Sequence, residues 1–428
     1  MSELDRDPAP RLGAELRPDA PGRAEPSGRA RVDLVLLGAI LLLVAVGVVF
    51  VYSASAVQAG RMGDEFHFLS RQLLGVGIGL TLLFVSLRIG PERLARLAYP
   101  LLLATLVLLV LVPLVGKTAG GARRWIPLGP LNLQPSEIAK VVLVLYLAYS
   151  LSRKQGRLRS FSIGVLPHLL VTALLAGLCL LQKDMGTGVL MLVVLLTMLF
   201  VAGARISYLL GAFAAAVPIG ALLVYFQPYR LERLLTFLHP EQFKHGKTYQ
   251  LWQSLLGTAE GGWLGVGLGQ GKGKLDYLPA AHTDFIAAVI AEEAGLIGIL
   301  AVIALFVVLV WRGFRAARRA EGPFGCYLAV GLTTLIGAQA LLNLAVVLGM
   351  APTKGLTLPF VSYGGSSLFT LLGASGLLLA VSAERGGFLA RAPAAVRTRG
   401  APRLPPGHPT RAIEAAAGLT RAPVEETP

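Results

Sequence analysis

A His-Thr-Asp triplet, His282, Thr283 and Asp284, stands where a long polar loop runs into an apolar segment that begins at Phe285 and then carries Glu292 and Glu293. An ionisable residue at the mouth of a membrane helix is unfavourable unless it pairs or does chemistry. A carboxylate that faces a water-filled cavity at a membrane surface can act as a general base, which makes Asp284 the candidate catalytic residue. Capping the helix would need one polar side chain, and Thr283 or Asp284 alone would serve. His282 and the two glutamates are polarity beyond that need. Glu292 lies about 12 Å further along a helix axis than Asp284 and reads as a structural hydrogen-bonding group.

Three other polar clusters interrupt apolar sequence. Arg123, Arg124 and Trp125 precede a helix that starts at Pro135, a residue suited to a first turn. On that helix Ser136, Glu137 and Lys140 share a face. Two readings stay open: a structural Glu137–Lys140 pair, or a cation for a phosphate. Arg124 and Trp125 suit a sugar or a polyprenyl pyrophosphate, or else headgroup snorkelling and interfacial anchoring. Asp184 reads as the N-cap of a helix. The stretch 352–367, PTKGLTLPFVSYGGSS, holds Lys354 and Ser362 in a backbone too irregular to face lipid. Such backbone is tolerated only against protein or a water-filled cavity. Gln339 and Asn343, four apart in an apolar run, suit interhelical hydrogen bonds.

The elements that must position these residues are membrane helices. Hydrophobic residues make up 54% of the chain and charged residues 15%; mean hydropathy is +0.67. These values imply an all-α polytopic membrane protein and argue against a water-soluble domain. The net charge of +15 does not imply nucleic-acid binding, because the excess Arg lies in tails and short loops. Ten runs of about 20 apolar residues predict ten transmembrane helices near 34–53, 69–88, 97–116, 135–151, 161–181, 185–203, 206–226, 284–311, 324–349 and 358–382. Residues 1–33 and 384–428 are rich in Pro and Arg and are expected to be disordered cytoplasmic tails around a membrane domain at 34–383. Arg88, Arg93, Arg96, Arg153, Lys154, Arg312 and Arg315 share one side with the tails, which places that side in the cytoplasm. The opposite side holds 54–68, 117–134, 228–283 and 350–357. Its positive clusters run against the charge rule and point to anionic ligands. The loop 228–283 is too long to be a bare connection. It is expected to contain a short helix from Tyr249, and a glycine-dense stretch at 261–273 that serves turns and packing or else brings backbone N–H groups close to phosphate. Cys179 and Cys326 sit in apolar segments as buried thiols.

RRWI, QPSEIAK, DMGTG, GVGLGQGKGKLDYLPAAHTDFI, EEAGLIG and PTKGLTLPFVSYGGSS occur in this order across the membrane region. The chain resembles the SEDS family (shape, elongation, division and sporulation), and the PTKG segment is most similar to its division branch rather than its elongation branch. Three positions depart from the family pattern: Lys183 and Met185 within 182–186, and Ala280. The resemblance implies a ten-helix fold and peptidoglycan glycosyltransferase activity on lipid II, outside the cytoplasmic membrane at the division septum. It implies a catalytic role for Asp284 and functional roles for Trp125, Lys140 and Lys354. It also implies a class B penicillin-binding protein, a transpeptidase, as partner, alongside other division proteins.

On this reading Asp284 takes the proton from the acceptor 4-hydroxyl as it attacks the donor's anomeric carbon. Arg124, Lys140 and Lys354 stabilise the departing undecaprenyl pyrophosphate, with His282, Trp125 and Ser362 completing the substrate-binding set. A divalent cation would suit the same task, but no dedicated metal-ligand set is present. The partner is expected at the eighth and ninth helices and the loop 228–283, with Gly331, Gly337 and Ala338 allowing close helix approach. The rival reading is a flippase for the same lipid, which shares the cavity and cations but needs no base.

Overall fold

Each of the ten apolar runs folds as a helix. The computed structural model describes residues 32–119, 122–129, 131–239, 249–273 and 281–383; apart from Val32 and Asp33, the two expected tails lie outside the described residues. The chain runs through α1 (Leu34–Arg61), α2 (His67–Ile89), a short α3 (Pro91–Ala95) and α4 (Ala98–Val115). A small sheet of β1 (Lys117–Ala119), β2 (Ala122–Leu128) and β3 (Leu131–Leu133) follows. The helices continue as α5 (Pro135–Arg153), α6 (Leu166–Leu181), α7 (Met185–Val201), α8 (Ile206–Tyr225), α9 (Pro228–Leu238) and α10 (Gln250–Glu260). The last three are α11 (Ile286–Arg319), α12 (Pro323–Val347) and α13 (Gly365–Ala383). Nine of the described helices are long and apolar enough to cross a membrane. α7 is apolar but has 17 residues, about 25 Å and just short of a bilayer core.

α5, α12 and α13 form the enclosed centre, whereas α8 buries no residue. Small residues let backbones approach where α2 meets α13: a Cβ at Gly376 would lie 2.2 Å from the Leu83 carbonyl oxygen. At the end opposite Asp284, Arg312 pairs with Asp33, whose carboxylate also caps α1 through the amides of Val35 and Leu36.

Several elements differ from the sequence expectation, each for a local reason. The connection 117–133 is a three-stranded antiparallel sheet rather than a loop. Thr118 pairs with Arg123 but Lys117 pairs with Trp125, so Arg124 is the extra residue of a β-bulge. Bulges re-aim a side chain. The last helix starts at Gly365, because 352–364 is irregular. α11 breaks at Gly295, where φ is 67° and ψ is −166°, a conformation open essentially to glycine alone. The glycine-dense stretch packs into that break. The amides of Leu296 and Ile297 donate to the carbonyls of Gly262 and Trp263, at 2.9 and 3.3 Å. The amides of Val266 and Gly267 donate to the carbonyls of Glu292 and Glu293, at 3.0 and 3.1 Å. Broken helix at membrane depth needs such replacement partners. The glutamates complete the joint: Glu292 accepts from the amides of Lys272 and Gly273, and Glu293 accepts from the Ser53 hydroxyl.

Candidate active site

Asp284 sits in the turn 281–285 that leads into α11 and is not used as a cap, since the N-cap is Phe285 with no side-chain bond. Its position is set from behind by Asn343 of α12. The Asn343 amide nitrogen donates to the Asp284 carbonyl at 2.8 Å and to the Leu356 carbonyl at 2.6 Å. One side chain thereby clamps the Asp284 turn to the irregular segment 352–364. A second clamp joins the same two stretches, the Tyr363 amide donating to the His282 carbonyl at 2.9 Å. The Asp284 carboxylate itself accepts no hydrogen bond among the described residues.

That carboxylate opens into a narrow pocket of about 20 Å³, room for about one water molecule, lined also by Arg233, Gln250, Thr353, Lys354 and Gly355. Gly355 has φ +67°, and a Cβ there would lie 3.6 Å from Asp284 Oδ2 and 4.0 Å from Arg124 Nη1. Glycine thus keeps open the space between carboxylate and guanidinium. Arg124 reaches it from the bulge in β2. Its Nε donates to the Gln182 carbonyl at 2.9 Å and its Nη2 to the Lys183 carbonyl at 2.5 Å. Those carbonyls are held by the turn between α6 and α7, where Lys183 takes φ +63° and Asp184 caps α7 through the Thr187 amide at 3.1 Å. Asp184 also accepts from Ser136 Oγ at 3.0 Å, which fixes the turn to α5. Arg233 of α9 approaches from another side, stacked 4.4 Å from the Tyr229 ring centroid and donating to the Thr353 carbonyl at 3.0 Å.

Burial raises the Asp284 carboxyl above the ordinary aspartate range, and the nearby Arg233 and Arg124 guanidiniums pull it back down. Burial lowers the Lys354 ammonium. A base, three cations and a pocket are the parts needed for proton removal beside a developing anion.

The structure brings Asp284, Arg124 and Lys354 to one place and leaves other expected contacts elsewhere. Lys140 is 1% exposed; its ammonium lies 2.9 Å from Glu137 and 2.7 Å from Gln339 Oε1. Gln339 in turn donates to the Thr357 carbonyl at 3.0 Å. Lys140 therefore braces the segment 352–364 from below and does not reach the pocket. Ser362 is buried and accepts from the Leu358 amide at 2.8 Å, closing a turn. His282 packs between the rings of Phe68 and Tyr363, and burial pushes it down to about 4, so it is neutral near pH 7. Trp125 is partly exposed in β2, outside the pocket lining. Gly331 is also displaced from its expected role. It faces Val144 and Met198 in the core, not lipid, while Gly337 packs against Val310 of α11. Among the described residues no three His, Cys, Asp or Glu side chains gather as a metal group.

Sequence reasoning missed Arg233. Its signal was two arginines three apart, Arg230 and Arg233, with Glu232 between them in an amphipathic stretch of the long loop.

Residues 33–386 match the family model for cell cycle proteins of the FtsW, RodA and SpoVE type. The chain is 47% identical over 362 residues to a probable peptidoglycan glycosyltransferase FtsW of Trichlorobacter lovleyi, covering 84% of this chain and 95% of that one. It is 46% identical over 360 residues to the Geobacter metallireducens protein of the same name, covering 83% and 96%. Among solved structures it is similar to a chain of a peptidoglycan synthase complex that coordinates polymerization and crosslinking. The TM-score is 0.69 at 35% identity, covering 82% of this chain and 97% of that one. The rod shape determining protein RodA of Thermus thermophilus gives a TM-score of 0.62 at 33% identity, covering 83% and 97%. Apolar helices and relatives together make this an integral membrane protein. The chain belongs to the FtsW/RodA/SpoVE family of cell cycle proteins.

Proposed function

We propose that this chain is a peptidoglycan glycosyltransferase that polymerises lipid II into glycan strands at the outer face of the cytoplasmic membrane, in septal wall synthesis. The carrying observation is the Asp284 carboxylate, which caps no helix and accepts no hydrogen bond among the described residues, in a pocket flanked by Arg124, Arg233 and Lys354. The names of its relatives support the reading. Asp284 accepts the proton of the acceptor 4-hydroxyl as that oxygen attacks the donor's anomeric carbon. The bond from that carbon to the pyrophosphate breaks, and the pyrophosphate leaves with the electron pair. Arg124 and Lys354 oppose its growing charge. Arg233 favours the ionised form of Asp284. Lys140, Ser362 and His282 hold the pocket's walls, and Trp125 meets the glycan at the rim. Both termini are cytoplasmic, and the tails take no part in the chemistry. The partner is a class B penicillin-binding protein seated on α11, α12 and the loop 228–283.

A flippase would move lipid II without consuming it. Purified chain, with and without its transpeptidase partner, is given lipid II in detergent and assayed for glycan strands. Strands support the polymerase. Intact lipid II after incubation with the complex, coupled with its transfer across liposome bilayers, would favour the flippase.

A further inference from the structure

A groove runs between α4 and α6 on the lipid-facing side, about 330 Å³ in volume and lined only by aliphatic side chains: Leu106, Val107, Val110, Leu111, Leu174 and Leu178. One turn further towards the Asp284 end, the same two helices border a mouth of about 250 Å³ that mixes apolar and cationic side chains, lined by Pro113, Ala122, Arg123, Leu181, Gln182 and Lys183. The mouth is built into the fold. Pro113 has no amide to bond the Leu109 carbonyl, and the Gln182 side-chain amide donates to that carbonyl instead, at 3.0 Å. Arg123 is held over the opening by its Nε on Thr118 Oγ1 and its Nη1 on the Pro113 carbonyl, both at 3.1 Å. Its Nη2 has no partner among the described residues. Arg123 and Lys183 are both exposed there.

Their immediate neighbours serve the Asp284 pocket. Arg124 follows Arg123 in the bulged strand, bonds the carbonyls of Gln182 and Lys183, and points its Nη1 at the space above Asp284. The groove mouth and the carboxylate are thus two ends of one short arginine bridge.

We propose that this groove seats the polyprenyl chain of the glycosyl donor, with its pyrophosphate held at the mouth by Arg123 and Lys183. The proposal rests on the polymerase reading and assigns one of its two lipid substrates to a place. The assignment follows from the chemistry. The donor's pyrophosphate is bonded to the reacting anomeric carbon, so it must lie beside the base. The acceptor's pyrophosphate is separated from its attacking 4-hydroxyl by a disaccharide. Two cations at the mouth of an aliphatic slot match a diphosphate on an apolar tail. Arg123 and Lys183 grip the leaving group, and Arg124 meets its inner oxygens as the bond breaks.

The test uses the full chain with its transpeptidase partner in phosphatidylcholine nanodiscs and a diazirine-bearing polyprenyl pyrophosphate. Cross-linked peptides are mapped by mass spectrometry. Labelling should concentrate on 106–111 and 174–178. Polyprenyl pyrophosphate should compete at least about tenfold better than polyprenol or phosphatidylglycerol, a modest demand for charge-assisted contacts. Arg123→Gln with Lys183→Gln should weaken labelling about tenfold, while Asp284→Asn should retain it. Even labelling of all lipid-facing helices, or equal competition by polyprenol or phosphatidylglycerol, would overturn the seat. Lipid II polymerisation by the same preparation is measured in parallel. Polymerisation without groove labelling rejects the seat and leaves the polymerase; groove labelling without polymerisation does the reverse.

Discussion

At the scale of single residues, the pocket sets opposing forces on one carboxylate. Burial favours protonated Asp284, and Arg233 and Arg124 favour its ionised form, with Arg233 the stronger of the two. A base works only when ionised, so activity falls as pH drops through the raised carboxyl value. Arg233→Gln removes the larger opposing charge and should move the acid limb of the kcat/KM profile to higher pH; an unmoved limb would show that Arg233 does not tune Asp284. Lys140 acts differently. Removing it leaves Glu137 buried without its cation, which typically destabilises by about 3–5 kcal/mol. Lys140→Met should therefore lose folded yield, and adding Glu137→Gln should recover much of it while activity stays low. Full activity of the double variant would show that the pair is dispensable. Asp284 was legible from the sequence because the HTD triplet holds more polarity than a cap needs. Arg233 was not, because nothing in its own segment says that α9 folds back over Thr353.

Whole elements divide in the same way. The ten helices were legible because only long apolar runs satisfy their own backbone in lipid. The sheet 117–133 was not, since two of its strands have three residues, too few to show an alternation. The break in α11 was hidden because Gly295 stands inside an otherwise helical apolar run. Its partner stretch is visible only as an excess of glycine. At that joint a side chain has no room: a Cβ at Gly295 would lie 2.3 Å from the Gly265 nitrogen. Gly295→Ala should destabilise the fold by at least about 1–3 kcal/mol, read as a lower melting temperature in detergent. Gly77→Ala, in helical α2 with open space around it, should be neutral or stabilising by up to about 1 kcal/mol. Equal effects of the two would show that the break is not required.

At the scale of the whole molecule, α11 presents Ile297, Leu300 and Val307 to lipid, each at least half exposed. With Leu341 of α12, 68% exposed, they form the face on which the partner's anchor helix is proposed to sit. Cysteines at Ile297, Val307 and Leu341 should cross-link to that anchor, and Asp284 variants should bind the partner as well as the parent does. Efficient cross-links to α1, α2 or α4 alone would move the docking face. Substitutions at Gly331 report on core packing instead, because that residue faces Met198. The measurement that bears most directly on the central claim is glycan polymerisation by the complex carrying Asp284→Asn. Asparagine keeps the shape and removes the base, so rate should fall by about 10²–10⁴. Melting temperature should be equal or higher, since a carboxyl raised by burial weakens the fold once ionised above its ordinary range. Near-parent polymerisation by this variant, or loss of activity that merely follows loss of folded protein, would contradict the account.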